Sequence, residues 1–338
     1  MKWSKGIIPG IITALLIAAP ASGSAATNWT LGDVDAPSHW GPTSARQFAE
    51  NVDKATNGDL KITVYPTESL FKGSDSLDAV ADNLSQMYRI MGFHVAGVDR
   101  IFELFDLPLF VPLDYDFRVK LWDALTPLYR EYLQKKYGVY LAGILAAEPR
   151  MIYTKESMNN LGDLKGRKIR SAGPTESEFT NKIGMAALSI APSEIYTALQ
   201  QGIIDGNWVA DAPHFYNKGY EVTNFIYDVG SAGAGTFVVV SEEALKELSD
   251  KDRKALMDAF PQYIDALRAG SKDGTINGRK WLMEKGMKVV EVTDADRERM
   301  RDVATKIVDE WQKKLTPETH NIYAKAKEMI DAYNAGKH

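Results

Sequence analysis

Arg170 is the side chain in this sequence best suited to hold a negatively charged ligand. It ends a short strand-like segment, residues 168–170, and precedes small residues and turn formers at positions 171–174. In an α/β protein, ligands bind at the rim of a sheet, where strands end. The planar guanidinium fork can hold a carboxylate through two parallel hydrogen bonds, a geometry that lysine lacks. We therefore expect Arg170 to bind a carboxylate, the alternative being a surface ion pair worth ~0–1 kcal/mol.

Sequence patterns that mark common catalytic centres are missing. The five histidines include no pair at the i, i+4 spacing of a helical zinc site. There is no G-x-S-x-G turn of a serine hydrolase, no S-x-x-K followed by K-T-G, and no P-loop. Because the chain has no cysteine, thiolate-ligated zinc, disulfides and thiol catalysis are excluded. We expect a protein that is not an enzyme and has neither a cofactor nor a metal site.

The composition is that of a folded globular chain. Of the 338 residues, 45% are apolar and 25% are charged, which is too apolar and too balanced in charge for a disordered protein. Since one domain spans ~100–200 residues, the length predicts two domains. The net charge of −5 argues against nucleic acid as a partner, because nucleic-acid-binding proteins carry a basic patch.

The first 26 residues have the pattern of a secretory signal peptide. Lys2 and Lys5 give a positive start, residues 7–19 are apolar, and residues 21–26 are small. The alternative is a membrane anchor, but the apolar run is shorter than the ~20 residues of a span, and Pro9 interrupts it. We expect export to the periplasm with cleavage near Ala26. No later segment approaches the length of a membrane span.

Strand-like and helix-like segments alternate after residue 26, which is typical of an α/β architecture. The predicted strands cover residues 29–34, 60–65, 87–91, 139–147, 168–170, 236–240 and 287–292. The main predicted helices cover residues 38–57, 74–83, 115–137, 193–201 and most of the chain from residue 249 onwards. The expected helix-capping residues are Ser38, Ser193, Ser241, Thr293 and Thr316.

Three glycines fall at i, i+4 and i+8 in the helical region after residue 249, so they share one helix face. They are Gly270, Gly274 and Gly278. Each costs a helix ~1 kcal/mol relative to alanine. One interpretation is a break in the helix near Gly270. The other is a bare stripe on which another part of the backbone packs closely.

Six motifs occur in a fixed order along the chain. They are GDLKITVYP at residues 58–66, FDLPLF at 105–110, LKGRKIR at 164–170, SEIYTALQ at 193–200, GIIDG at 202–206 and YEV at 220–222. Each motif is weak alone. Together they resemble the periplasmic solute-binding subunits of TRAP transporters (tripartite ATP-independent periplasmic), the DctP-like family.

The resemblance implies a fold and a role. The fold is α/β, with two lobes of the periplasmic-binding-protein type, a ligand cleft between them and a long connecting helix. Lobe I is expected to contain residues 27–149 and about 240–279, and lobe II residues 150–239 and about 280–338. The implied function is capture of a small organic acid by hinge closure, followed by its delivery to separate small and large integral-membrane subunits of the transporter.

The resemblance also assigns roles to individual positions. Arg170 matches the family's carboxylate anchor, and Arg150 resembles its second arginine, an ion pair of Arg150 with Glu148 or another acid being the alternative. Many acidic-sugar and dicarboxylate members have D-G-Q-E-N-P where this chain has DGNWVA at residues 205–210. Val209 thus replaces a polar asparagine. Asn207 replaces a glutamate that helps to hold a cation in some keto-acid members.

We therefore hypothesise a less polar pocket, with one carboxylate on Arg170 and the rest of the ligand against aromatic side chains. The other candidate ligand-binding residues are Arg150, Trp208, Asn207, Phe237, His39, Trp40, Phe93, His94 and Asp211. For each aromatic residue the alternative is ordinary core packing. For His39 and His94 it is a role in a cap or a turn.

Two rival functions are compatible with the sequence. One is an exported enzyme that acts on an organic acid and uses Asp211 or His214 beside the arginine. The other is an exported sensor module that reports the ligand to a receptor.

Overall fold

The computed structural model describes residues 26–146, 148–231, 233 and 235–336. Apart from Ala26, the predicted signal peptide lies outside the described residues. The strands are β1 (Thr27–Asp33), β2 (Leu60–Tyr65), β3 (Met87–Met91), β4 (Val139–Ala146), β5 (Arg150–Thr154), β6 (Lys168–Ser171), β7 (Ala186–Ser189), β8 (Gly206–Ala210), β9 (Phe225–Ser231), β10 (Gly235–Ser241) and β11 (Lys288–Val290).

The helices share the surface layers around these strands. They are α1 (Trp40–Ala55), α2 (Ser76–Ala81), α3 (Gly92–Val95), α4 (Tyr115–Tyr137), α5 (Pro174–Lys182), α6 (Ile195–Gln200), α7 (Asp211–Tyr216), α8 (Glu242–Glu247), α9 (Asp250–Glu284), α10 (Asp294–Gln312) and α11 (Pro317–Ala335). Five short 3₁₀ helices cover Gly73–Asp75, Arg100–Asp106, Leu161–Leu164, Pro192–Glu194 and Gly219–Glu221.

The strands form two separate sheets. The first has the order β2-β1-β3-β10-β4, in which β10 runs antiparallel to both of its neighbours. The second has the order β11-β9-β5-β8-β6-β7, in which β5 runs antiparallel to β8 and β9. Strand β10, with the sequence GTFVVVS, is buried along its whole length, as expected for an apolar strand covered on both faces.

Helix α9 joins the two sheets. Its 35 residues run without interruption, which corresponds to about 52 Å. Residues of its first half, including Phe260 and Leu267, belong to the core around the first sheet, whereas Leu282 packs in a core of the second. The helix break considered at Gly270 is therefore wrong. Helix α10 also spans both cores, through Met300 on the second and Trp311 on the first.

Most of the predicted elements are confirmed. Strands β2 and β3 and helix α4 have the expected bounds, and Ser241 and Thr316 cap their helices through side-chain hydrogen bonds. Two caps were wrong. His39 rather than Ser38 caps α1, and Ser193 lies inside a 3₁₀ turn that precedes α6. In both cases a tight turn precedes the helix, so the helix begins later in the chain than expected.

Strands β5, β7, β8 and β9 and helices α5 and α7 were not predicted, and the last helix packs elsewhere than expected. Residues 280–338 were assigned to lobe II, but α11 packs against α4 and contributes Ile322 and Ile330 to the core of the first sheet. The α/β architecture with two sheets and a long connecting helix is confirmed. The exact residue division into lobes stays a prediction.

Candidate functional site

A cavity of about 90 Å³ lies where strands of both sheets end. From the first sheet it is lined by Val34, Asp35, Met91 and Phe93. From the second it is lined by Glu148, Arg150, Arg170, Pro192, Ile195, Val209, Ala210, Pro213 and Asn217. It therefore lies between the two sheets, with apolar walls and a few charged groups.

Arg170, near the end of β6, carries a buried positive charge without a counter-ion. Its side chain is 3% exposed. Its Nε donates to the carbonyl oxygen of Ile190 (3.0 Å) and its Nη1 to that of Trp208 (3.3 Å). No acidic side chain in the described part of the chain forms an ion pair with it. Burial, with the nearby charge of Arg150, lowers the pKa of Arg170 to about 10.

Arg150, the first residue of β5, lines the same cavity but is already neutralised. Its Nη2 donates to Oε2 of Glu176 (2.9 Å) and to the carbonyl oxygen of Trp208 (3.1 Å). Its Nη1 also lies 3.8 Å from Oδ1 of Asp106. The acid that pairs with Arg150 is thus Glu176, brought close by α5, and not the sequence neighbour Glu148.

Glu148 places a carboxyl group in the cavity wall. Its Oε1 accepts a hydrogen bond from Trp40 Nε1 (2.9 Å), and its Oε2 accepts one from the backbone N–H of Ala212 (3.1 Å). Its side chain is buried, and within the described residues no cation pairs with it. Burial raises the pKa of Glu148 to about 7. Glu148 was not predicted as a ligand-binding residue, although its position directly after the predicted strand over residues 139–147 was a signal.

Asp35 also lines the cavity and was not predicted from the sequence. Unlike that of Glu148, its pKa is lowered. Burial alone would raise its pKa, but His39 and Arg89 outweigh burial and hold the pKa of Asp35 below its usual range. His39 Nδ1 lies 3.1 Å from its Oδ2, and Arg89 also donates to it. Its negative charge is therefore balanced within the protein.

Of the predicted residues that follow β1 and β3, only Phe93 is among those that line the cavity. Phe93 lines it, with the guanidinium of Arg150 5.4 Å from its ring. His94 lies beside Phe93, and neither of its ring nitrogens has a hydrogen-bond partner in the described residues. Burial and the charge of Arg170 lower the pKa of His94 to about 3, so its ring is neutral. His39 accepts from the N–H of Gly41 as the cap of α1.

Two of the proposed aromatic walls are core residues. Trp208 alternates with Val209 along β8, so only Val209 reaches the cavity. The Trp208 indole N–H donates to Thr180 Oγ1 (2.9 Å) inside the core of the second sheet. Phe237 is fully buried in the first core and packs edge-to-face on Phe102. Trp208 and Phe237 therefore lie in the two cores and do not line this cavity.

Asn207 and Asp211 flank the Trp208–Ala210 segment. Asn207 pairs with Arg170 in the strand register, and its buried Oδ1 has no partner among the described residues. Asp211 accepts hydrogen bonds from the hydroxyl of Tyr153 and from Nε of Arg279 (3.0 Å), and it lines a different cavity. It therefore does not lie beside Arg170.

His214 also lies away from Arg170. Its Nε2 is 2.8 Å from Thr223 Oγ1, and its ring stacks on Tyr153 with centroids 3.7 Å apart. Burial lowers the pKa of His214 to about 3. The structure thus does not bring together the acid, histidine and arginine that the enzyme alternative requires.

The three glycines of α9 form the close-packing stripe that the sequence suggested. A methyl group at Gly270 would lie 2.6 Å from Trp40 Cβ. One at Gly274 would lie 2.1 Å from Oε1 of Glu148. One at Gly278 would lie 3.0 Å from the backbone nitrogen of Ala212. The stripe therefore lets α9 press on Glu148 and both of its hydrogen-bond donors.

In the described residues, no group of three or more histidine, aspartate or glutamate side chains is arranged to hold a metal ion. No described helix is both long and apolar enough to cross a membrane.

Two sheets joined by a long helix, with a charged cavity between them, define a solute-binding protein. The chain belongs to the DctP family, the bacterial extracellular solute-binding proteins of family 7, whose model matches residues 31–314. The resemblance to TRAP solute-binding subunits is therefore confirmed.

Individual relatives are similar over most of their length. The chain is 26% identical to the C4-dicarboxylate-binding periplasmic protein DctP of Rhodobacter capsulatus, over 81% of this chain and 83% of that protein. The crystal structure of DctP6, a Bordetella pertussis extracytoplasmic solute receptor that binds pyroglutamic acid, matches with a TM-score of 0.82 and 26% identity, over 91% of this chain and all of that one. A Chromohalobacter salexigens TRAP solute-binding protein with bound D-glucuronate has the same fold, with a TM-score of 0.82 at 19% identity, over 89% of this chain and 99% of that one.

Proposed function

We propose that this protein is the extracytoplasmic receptor of a TRAP transporter and captures a small organic acid by its carboxylate. The observation that carries the proposal is the buried charge of Arg170 in the wall of the cavity, which forms no ion pair among the described residues. A buried cation is costly unless it is paired and hydrogen-bonded. The carboxylate of a ligand supplies both the charge and the acceptors, and each hydrogen bond between charged groups contributes about 1.5–3 kcal/mol.

The size of the cavity supports a small ligand. Its volume of about 90 Å³ lies well below the roughly 300–1,000 Å³ of sites for drug-sized molecules. The two relatives named above at 26% identity, for C4-dicarboxylates and for pyroglutamic acid, both take small carboxylates according to their names. Phe93, Met91, Ile195 and Val209 provide the apolar walls for the rest of the ligand.

The wider role follows from the family. We propose that the protein works in the periplasm after cleavage of its signal peptide near Ala26, and that its two lobes close around the ligand. The closed form then delivers the acid to the small and large membrane subunits of the transporter. Uptake of a labelled acid by vesicles that contain these subunits should require the protein. Equal uptake without it would contradict this step.

Ligand capture is tested by a thermal-shift screen of protein freed of ligand by unfolding and refolding. The panel contains aliphatic, hydroxy-, keto- and cyclic carboxylates. A ligand at a thousand times its dissociation constant stabilises the fold by ~4 kcal/mol, which raises Tm by several degrees. The shift should vanish in Arg170→Gln and persist in Arg253→Gln, an arginine paired with Asp250 on the surface. A shift that survives Arg170→Gln, or no shift with any acid, would overturn the proposal.

A further inference from the structure

The cavity is lined by two basic and two acidic side chains. Arg150 and Arg170 come from β5 and β6, whereas Asp35 and Glu148 follow β1 and β4. All four side chains line one small cavity, so a ligand held by Arg170 also lies close to the acids.

Only two of these four groups form no ion pair within the described chain. Arg150 pairs with Glu176, and Asp35 pairs with Arg89. Among the described residues, Arg170 donates only to two backbone carbonyls, and Glu148 accepts only from an indole N–H and a backbone N–H. The charges of Glu176 and Glu68 attract Arg170, and those of His39 and Arg118 attract Glu148, without forming an ion pair. The unbalanced groups are therefore one cation and one carboxyl group.

Glu148 has acceptor capacity left over. An ionised carboxylate offers about four lone-pair sites, and the two neutral donors, Trp40 and Ala212, use one on each oxygen. The glycine stripe of α9 packs closely against the Glu148 carboxylate and against both of its donors, so this carboxylate is held in place before a ligand binds. Burial raises its pKa to about 7, and a ligand N–H or O–H would lower that pKa again by a hydrogen bond to the ionised form.

We infer that the ligand carries an N–H or O–H donor on the side away from its carboxylate, that this donor binds Glu148, and that dicarboxylates are rejected. A second carboxylate would face Asp35 and either the ionised Glu148, which repels it, or a Glu148 that has first taken up a proton, and both cases lower the affinity for a dicarboxylate. A polar site of this kind also discriminates against an analogue that lacks the matching donor. The inference rests on the proposed capture of the carboxylate by Arg170. It separates this protein in specificity from the C4-dicarboxylate-binding relative.

The test uses isothermal titration of the ligand-free protein with two matched pairs of acids and with succinate. The first pair is L-pyroglutamate and 5-oxotetrahydrofuran-2-carboxylate, which has a ring oxygen in place of the N–H. The second is L-lactate and 2-methoxypropanoate, in which a methyl group replaces the hydroxyl hydrogen. In at least one pair the donor-bearing acid should bind about 10-fold or more tightly than its partner, the size of one hydrogen bond to a charged acceptor. Succinate should bind more weakly than either donor-bearing acid that binds.

Two variants of Glu148 identify the group responsible. Glu148→Met removes the acceptor and should bring the members of the preferred pair to within about threefold of each other. Glu148→Gln keeps the shape, removes the charge and should strengthen succinate binding about 10-fold relative to the preferred acid. Asp228→Asn is the control, because Asp228 lines the neighbouring cavity with Glu148 but pairs with Arg279. It should leave both ratios unchanged.

Three results would overturn the inference while acids still bind: equal affinities within both pairs, tight binding of succinate, or ratios that Glu148→Gln and Glu148→Met leave unchanged. If Glu148→Met does not fold, the isosteric Glu148→Gln still decides the dicarboxylate ratio. Binding of no acid at all would instead contradict the proposed capture of a carboxylate, and this inference would fall with it.

Discussion

Two buried arginines, one in each sheet, meet opposite surroundings. Arg89 on β3 donates from Nε to Asp33 Oδ2 (2.7 Å), from Nη2 to Asp33 Oδ1 (2.5 Å), and from Nη2 to Asp35. Arg170 on β6 donates only to two backbone carbonyls. Their side chains are 0% and 3% exposed, so burial does not distinguish them. What differs is whether the protein supplies the counter-ion.

The difference separates a structural charge from a binding charge. In the first sheet the chain itself provides two carboxylates, and the ion pair fastens β3 to the segment after β1. In the second sheet no carboxylate of the described residues forms an ion pair with Arg170, so most of the energetic cost of the buried charge is offset only when an anion binds. A buried arginine is therefore a useful indicator of a ligand site only after its acidic partners have been searched for.

The largest effect is expected at Arg89. Arg89→Gln leaves Asp33 and Asp35 buried without their cation, so the free energy of unfolding should fall by about 3–5 kcal/mol. Chemical denaturation of the ligand-free protein measures this value. Arg253→Gln, on the surface, should change it by less than about 1 kcal/mol. A small loss at Arg89 would show that its ion pairs are not structural.

Arg170→Gln should have the opposite effects, with little loss of stability and a large loss of ligand affinity. Because it removes an unpaired buried charge, the unfolding free energy of the ligand-free protein should stay within about 1 kcal/mol of the original or rise. Affinity for the carboxylate should fall at least about 100-fold, since both charge and fork geometry are lost. Denaturation and titration of the same preparation separate the two effects. Strong destabilisation of the ligand-free variant would contradict the proposed difference between Arg170 and Arg89.

The two buried neutral histidines should make stability depend on pH. His94 and His214 have pKa values lowered to about 3, against an ordinary value of about 6.5. Between these values the unfolded chain binds protons that the folded chain does not, so stability falls as the pH drops below about 6.5. At pH 5 each histidine should cost about 2 kcal/mol.

The measurement is the difference in unfolding free energy between pH 7.5 and pH 5 for the original protein and for His214→Gln. The variant should lose about 2 kcal/mol less on acidification. Comparing the two proteins isolates the histidine, because buried acids such as Glu148, whose pKa is raised to about 7, shift in the opposite sense. An identical pH dependence would mean that His214 is protonated in the folded state.

The smallest effect is expected for Arg150→Lys. Lysine keeps the charge opposite Glu176 but cannot also maintain the arginine's hydrogen bond to the Trp208 carbonyl. We expect about 1 kcal/mol of lost stability and a modest loss of affinity. Arg170→Lys, measured alongside, should lose more affinity and less stability. If both lysine variants behave alike, the two arginines do not have separate roles.

The fold was more predictable than the site. Helix α4 and strands β2 and β3 follow from local periodicity and end signals, which depend on near neighbours in the chain. Strand β5 was missed, because its five residues, RMIYT, are all buried and show no alternation. The position of Trp208 could not be predicted for a similar reason, since the side of β8 that reaches the cavity depends on how the sheet packs.

The sequence by itself determined the family, the order of most elements and the position of Arg170 at the end of a strand, because motifs and helix signals are short-range features. Only the tertiary structure decided which charges remain unbalanced. Arg89 meets Asp33 across 56 residues, Arg150 meets Glu176 across 26, and Glu148 meets Trp40 across 108. Electrostatic energy depends on distance in space and on burial. Local sequence encodes neither, so the partner that a charge lacks becomes visible only in the folded chain.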